Sequence, residues 1–184
     1  MIKYYAGVDP GMSGAIAVVE RKVESNIHSY RLWALWDSLT MPHPNHPTKR
    51  ILDSMGWSKA LFDAIHLTDR GLLGNGNSPG FKTSTLTLEH VSAAPGAGVA
   101  SMFSFGKGVG LIEGVTLAHL CPLRTVRPAI WKEHFRLLNQ TKDASREKAM
   151  ELFPAVKDLF KRKCDDGRAE AVLLAMYGGE FSFL

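Results

Sequence analysis

Residues 1–20 read MIKYYAGVDPGMSGAIAVVE, and the fold turns on them. An apolar run over residues 4–8 ends on a carboxylate, Asp9. Pro10, Gly11, Ser13 and Gly14 supply a turn at once, and a second apolar run follows over residues 15–19. Two β-rich runs split by a Gly/Pro turn predict a hairpin. Asp9 then stands at the end of the first strand, beside the turn, poorly placed for core packing and well placed for a metal. The glycines leave room for a bulky group such as a phosphate backbone to come close. The competing reading is an ordinary type I turn, which Asp before Pro often opens.

Downstream, residues 27–36 (IHSYRLWALW) alternate as a third strand, and Trp33, Trp36, Trp57 and Trp131 read as core or dimer contacts. Residues 37–48 carry Pro42, Pro44, Pro47 and Asn45 and are expected to be loop. Apolar residues at helical spacing predict a helix over 49–67, weakened by Gly56. Residues 69–82, rich in Gly, Asn, Ser and Pro, read as a mobile surface loop. Residues 83–91 (TSTLTLEHV) form the next strand, with Glu89 closing it much as Asp9 closes the first. A Gly/Ala-rich loop over 92–100 leads to residues 102–120, helical in their later part, with Val109, Ile112, Val115, Thr116 and His119 on one face. Gly106, Gly108, Gly110 and Gly114 cost that helix about 1 kcal/mol each against Ala, and packing by a neighbouring backbone is the expected compensation.

Residues 123–126 are a short strand, and Pro128 opens a helix over 129–135. Another helix covers 143–153, with Ser145, Arg146, Glu147 and Lys148 as its polar face, and Pro154 ends it. The segment DDGRAEAVLLAMY, residues 165–177, is a further helix with Asp165 as N-cap. Asp166 and Glu170 lie one helical turn apart on a shared face, where like charges repel and a cation would relieve them.

A chain of 184 residues suits one domain, here residues 1–184, with ordinary hydrophobic (45%) and charged (22%) content. No apolar run approaches the roughly 20 residues that span a bilayer, and no signal peptide is read at the N-terminus, so no membrane partner and no secretion are expected. Cys121 and Cys164 make no metal-ligand spacing and read as free thiols in a reducing compartment. The net charge is +4, but residues 121–163 hold eleven Lys/Arg against five acids. A basic flank beside an acidic site suits a polyanion held against metal-binding carboxylates, while a solvated helical surface is the plainer reading.

Asp9, Glu89, Asp166 and Glu170 together make the oxygen-rich set that phosphodiester cleavage by paired divalent ions needs. Two ions about 4 Å apart stabilise the attacking and leaving oxygens, and such ligands suit Mg²⁺, with Mn²⁺ as a substitute. Lys107 is the candidate phosphate contact near the site, and Arg124, Arg127 and Lys132 the candidates for a wider DNA track, with a plain surface charge as the competing reading for each.

With these residues in place, the chain resembles the RuvC family of Holliday-junction resolvases in the ribonuclease H-like superfamily. The matching stretches are GVDPGMSGAIAVV, LEHV, MFSFGKGVGLIEGV, TVRPAIWKEHF and DDGRAEAVLLA. The DGRAEA form is closest to phage and organellar relatives. The resemblance implies an α/β fold with a mixed five-stranded sheet flanked by helices. It also implies a homodimer that sets two active sites on a four-way DNA junction, in the cytoplasm or an organellar nucleoid. Asp9, Glu89, Asp166 and Glu170 fall on the family's acidic positions. Two departures stand out. The final acids are four apart and end in Glu, where bacterial members usually place Asp three residues on. The loop Ser92-Ala93-Ala94-Pro95-Gly96 lacks the aromatic that bacterial members wedge into the junction. Phe103 and Phe105 are the candidates for that work, with burial in the core as the competing role for at least one of them. A less selective nuclease for branched, flapped or RNA–DNA hybrid substrates, and a non-catalytic DNA-binding module, remain the alternatives.

Overall fold

The computed structural model describes residues 1–74, 78–80, 82–90, 92, 96, 98–141 and 143–181, with Pro47 described by its backbone alone. Strands β1 (Ile2–Asp9) and β2 (Ala15–Glu24) form the expected hairpin, in register from Ile2↔Lys22 to Asp9↔Ala15. β3 (Ile27–Asp37) pairs antiparallel with β2.

Residues 37–48 depart from the loop expectation. β4 (Thr40–His43) and β5 (His46–Leu52) form a separate two-stranded antiparallel sheet. Proline is barred from a central strand because it lacks an N–H, but an isolated hairpin has only edges, where that donor is dispensable. Arg50 ties the pair by donating from Nε to Thr40 Oγ1 at 2.7 Å. The helix expected from residue 49 therefore starts later, as α1 (Ser54–His66). Asp53 caps it by accepting from the Gly56 N–H at 3.0 Å, and a Cβ at Gly56 would collide with that carboxylate. The loop expected over residues 69–82 falls partly outside the described residues, and its first part is anchored rather than mobile. Leu72 N–H donates to Leu35 O at 2.7 Å, and Arg70 Nε donates to Trp33 O at 2.7 Å, so this segment covers the outer edge of β3.

β6 (Thr85–Glu89) runs parallel to β1, and β7 (Leu123–Val126) parallel to β6. The result is the expected mixed five-stranded sheet, ordered β3-β2-β1-β6-β7. Between β6 and β7 runs α2 (Val99–Ala118), which starts earlier than its glycines suggest. The loop before it lies largely outside the described residues. After β7 come α3 (Pro128–His134), α4 (Ala144–Leu152) and α5 (Asp166–Glu180).

Two cores follow from the strand alternation. Tyr4, Ala6 and Val8 of β1 face Trp57, Leu61 and Ile65 of α1 and Ile112 of α2. On the other face, Ala15, Ala17 and Val19 of β2 meet Val172, Leu173 and Met176 of α5, with Trp131, Phe153 and Phe160 around them. All four tryptophans are buried in these cores. The side chains of Ser145 and Arg146, expected on a polar face, are instead buried, for reasons the site explains.

One close approach positions the site. A Cβ at Gly14 would stand 2.1 Å from Asp9 O, and one at Gly167 would stand 2.1 Å from Ser13 O. The β1–β2 turn and the first turn of α5 are therefore in backbone contact that only glycine permits. Gly7 does the same further along, where a Cβ would meet Ala171 O at 2.2 Å.

Candidate active site

β1 and β6 run parallel with Tyr5↔Thr85 through Val8↔Leu88 in register, so the ends of the strands bring Asp9 beside Glu89. Alternation turns both toward the α5 face of the sheet. The glycine contact delivers the first turn of α5, with Asp166 and Glu170, to the same place. A cleft of about 490 Å³ opens there, walled by Asp9, Ser13, Lys132, Asp166 and Glu170 and by the loop residues Leu137 to Thr141.

Each carboxylate has its own partner. Asp9 Oδ1 accepts from Gly11 N–H at 3.1 Å, and Glu89 Oε1 accepts from the Trp131 indole N–H at 3.0 Å. Glu170 Oε1 pairs with Lys132 Nζ at 3.0 Å and accepts from Ser145 Oγ at 3.3 Å. Asp166 Oδ1 accepts from Arg146 Nε at 2.8 Å, and Arg146 also holds Asp143 and donates to Lys161 O. This explains the inward turn of Ser145 and Arg146: α4 supplies the hydrogen bonds that orient both α5 carboxylates.

The electrostatics mark Asp9 as the centre. Burial pushes its carboxyl up to about 7, the Gly11 N–H opposes this, the charges of Glu170 and Glu89 add to it, and Lys132 counters them. Glu89 is also raised, chiefly by burial, with Glu170 adding to the shift and Trp131 and Lys132 opposing it. Carboxylates that raise one another's pKa favour a cation among them.

Among the described residues, no three His, Cys, Asp or Glu side chains converge closely enough to hold a metal ion as they stand. Lys132 and Arg146 occupy the positive role instead. The donor set nonetheless fits a hard divalent cation: all oxygen, part-buried, and short of positive charge at Asp9. Asp9 and Glu89 would be its strand-end ligands, and Glu170 and Asp166 would join them on exchanging Lys132 and Arg146 for the ion.

The sequence matches no protein-family model and no curated protein. In three dimensions the chain is similar to Thermus thermophilus RuvC in complex with Holliday junction substrate, with a TM-score of 0.58 and 12% identity, covering 99% of this chain and 97% of that one. The chain has the RuvC fold. A second structure of Thermus thermophilus RuvC gives a TM-score of 0.54 at 15% identity, covering 98% and 96%. Fowlpox virus Holliday junction resolvase gives 0.47 at 16% identity, covering 98% and 99%. The RuvC fold is a ribonuclease H-like α/β arrangement, as the resemblance implied.

On this RuvC fold the remaining candidates separate. Lys132 lies in the cleft, paired to Glu170. Arg124 and Arg127 border a different groove along β7. Lys107, Phe103 and Phe105 sit on α2, across the sheet from α5; Phe103 and Lys107 are exposed and Phe105 is half-buried. Sequence reasoning missed Ser13, Trp131, Ser145 and Arg146 as site residues. The WKEHF stretch, with an indole beside a lysine, was the available signal for Trp131.

Asp165 occupies the N-cap position of α5 but makes no cap bond to that helix. Its buried carboxylate instead accepts from Arg162 N–H at 2.8 Å and pairs with Arg162 and Arg168. Burial works to raise its pKa, but the Arg162 hydrogen bonds and the charge of Arg168 hold it below the usual carboxylate range. Asp165→Asn is expected to cost on the order of 1–3 kcal/mol, because it strands buried donors. Urea melts check the loss. Activity per folded molecule should survive, in contrast to Asp166→Asn.

Proposed function

We propose that this chain is a divalent-metal-dependent endonuclease that resolves four-way DNA junctions by paired nicking. The observation that carries the reading is the gathering of Asp9, Glu89, Asp166 and Glu170 at two adjacent strand ends and one helical turn, on the RuvC fold. The Thermus RuvC described above was captured with a Holliday junction substrate, which supports the same substrate class. When bound, Mg²⁺ would activate the attacking water and stabilise the leaving oxygen. The chain's own residues do the rest. Asp9 and Glu89 provide negative charge at a desolvated point, and Trp131 and Ser145 orient Glu89 and Glu170. Lys132 offsets repulsion among the acids and is placed to meet a phosphate oxygen. The test is incubation with Mg²⁺ and labelled junction, fork, flap, duplex and RNA–DNA hybrid. Symmetric paired nicks in the junction alone are expected; indifferent cutting of flaps or hybrids would favour the less selective nuclease, and no cutting at all a binding module.

Paired nicking needs two sites, and we infer that α2 supplies the dimer contact. Val99, Phe103, Gly106, Gly110, Gly114 and Leu117 fall on one narrow stripe of α2. Val99 is 87% exposed, Phe103 70% and Leu117 58%, and a Cβ at any of the three glycines would meet nothing within 4 Å. Gly108 faces inward, where a Cβ would stand 3.3 Å from Leu52 Cδ2, but no described neighbour in the chain answers the close approach expected at Gly106, Gly110 and Gly114. A second copy would, since small residues spaced by four let helices pack tightly. Gly110→Glu is expected to convert dimer to monomer in light scattering and to turn paired nicks into rare single nicks. A dimer unchanged by this substitution would exclude α2 as the contact.

The basic segment implies several phosphate contacts. Junction affinity should fall with salt at a log–log slope of roughly −0.9 per phosphate neutralised. Titrations across ionic strengths measure it.

A further inference from the structure

A second concavity, about 570 Å³ in volume, runs along the free edge of β7 and lies outside the carboxylate cleft. Its near end is His90, the residue after Glu89, whose N–H donates to Val126 O at 2.7 Å. Its far end is Tyr177 and Phe181, at the C-terminal end of α5. Arg124, Arg127 and Ile130 complete the parts that matter, and among the described residues no carboxylate lines it.

The groove mixes two chemistries. Arg127 is exposed at its rim, and Arg124 lies half-buried in its wall. Ile130, 49% exposed, and the Tyr177 and Phe181 rings, with centroids 4.7 Å apart, give it an apolar floor. The floor is braced from behind. His134 stands edge-on to both rings and pairs with Glu180 at 2.6 Å, while Arg124 donates to Phe181 O at 2.9 Å. A track for phosphates alone needs only cations on a surface. A braced apolar-aromatic floor under guanidinium groups is what a nucleobase with its phosphate requires, and the volume lies within the range of small-molecule pockets.

We propose that this groove takes an unstacked nucleotide of the bound DNA strand, its base against Ile130 and Phe181 and its phosphate against Arg127. The inference rests on the reading of the chain as a branched-DNA nuclease. Because His90 follows Glu89 directly, a strand leaving the cleft past Glu89 enters the groove within one or two nucleotides of the cut. Base pairs at the centre of an open junction stack on one side only, so a nucleotide there makes this excursion at lower cost than one inside continuous duplex, which is stacked on both sides. The groove therefore supplies a preference for branch points that the carboxylates do not.

The test uses Asp9→Asn protein, which should bind without cutting, and junctions carrying the fluorescent base aminopurine at successive positions around the cut. A several-fold rise in fluorescence is expected at one position next to the cut. Ile130→Ala and Arg127→Gln, both surface changes, should abolish the rise and weaken junction binding between about five- and a hundredfold. Ile130→Leu should keep both. If junctions are bound and cut but no position brightens, or the rise survives Ile130→Ala and Arg127→Gln, the groove assignment is wrong and the nuclease reading stands. If the protein binds no branched DNA, the nuclease reading fails and the groove assignment with it.

Discussion

Asp9→Asn is expected to abolish junction cleavage, with a loss of at least about a thousandfold, and to leave junction binding in metal-free buffer nearly unchanged. The asparagine keeps the shape and the Gly11 hydrogen bond to the side-chain oxygen. What disappears is the charge of Asp9, within the electrostatic reach of Glu170 and Glu89. Losing several kcal/mol of transition-state stabilisation corresponds to that factor. Binding should survive because the substitution removes a negative charge and leaves every Lys and Arg of the basic segment in place. Gel-based cleavage and anisotropy on one junction measure both, and full cleavage by the variant would sink the assignment.

The second large effect is on stability. Asp9 in the folded chain titrates near 7, above its ordinary value of 3.8, so folding takes up a proton. In metal-free buffer its contribution to stability is full below about pH 4 and is lost as pH rises through 7. The loss is at most about 4 kcal/mol at 1.36 kcal/mol per unit, and smaller to the extent that water reaches the half-buried carboxyl. Asp9→Asn should therefore melt higher than wild type at pH 8 and no higher at pH 4. Divalent cation works from the other side. A ligand at a hundred times its Kd adds about 2.7 kcal/mol to the native state, which for a chain of this length raises Tm by roughly 5–10 °C. Asp9→Asn and Glu170→Gln should each blunt that rise. Glu170→Gln also gives up the Lys132 pair, so in the absence of metal it gains less than Asp9→Asn. Melting curves at two pH values, with and without Mg²⁺, separate the two effects; a wild type indifferent to metal at both would exclude a cation bound by these carboxylates.

Much of this arrangement was legible in the chain. The GVDPG turn and the TLTLE alternation fix strand ends, and strand ends place Asp9 and Glu89 on one face. The four-residue spacing of Asp166 and Glu170 puts both on one side of α5. What could not be read was which neighbours answer them. Arg146 looks like a solvent-facing residue of a polar helix, and only the packing of α4 on α5 turns it toward Asp166. Trp131 donates to Glu89 across 42 residues of sequence, a distance over which local pattern says nothing. The proline-rich hairpin was misread because proline forbids a strand only inside a sheet, and the sequence does not say which strands will have neighbours. Asp165 holds the N-cap position as expected, but two arginines, from both sides along the chain, claim its carboxylate in place of the helix N–H groups.

The backbone contact between Gly14 and Gly167 also has a consequence in time. It joins the β1–β2 turn to α5 across most of the chain, and such distant pairings close late in folding. On the ribosome, β1 and β2 emerge long before α5 exists. Until α5 has been made and has docked, Asp9 has neither Asp166 nor Glu170 beside it. If the carboxylates cut as proposed, a nascent chain surrounded by RNA carries no assembled site, and the candidate centre forms in the same event that completes the core.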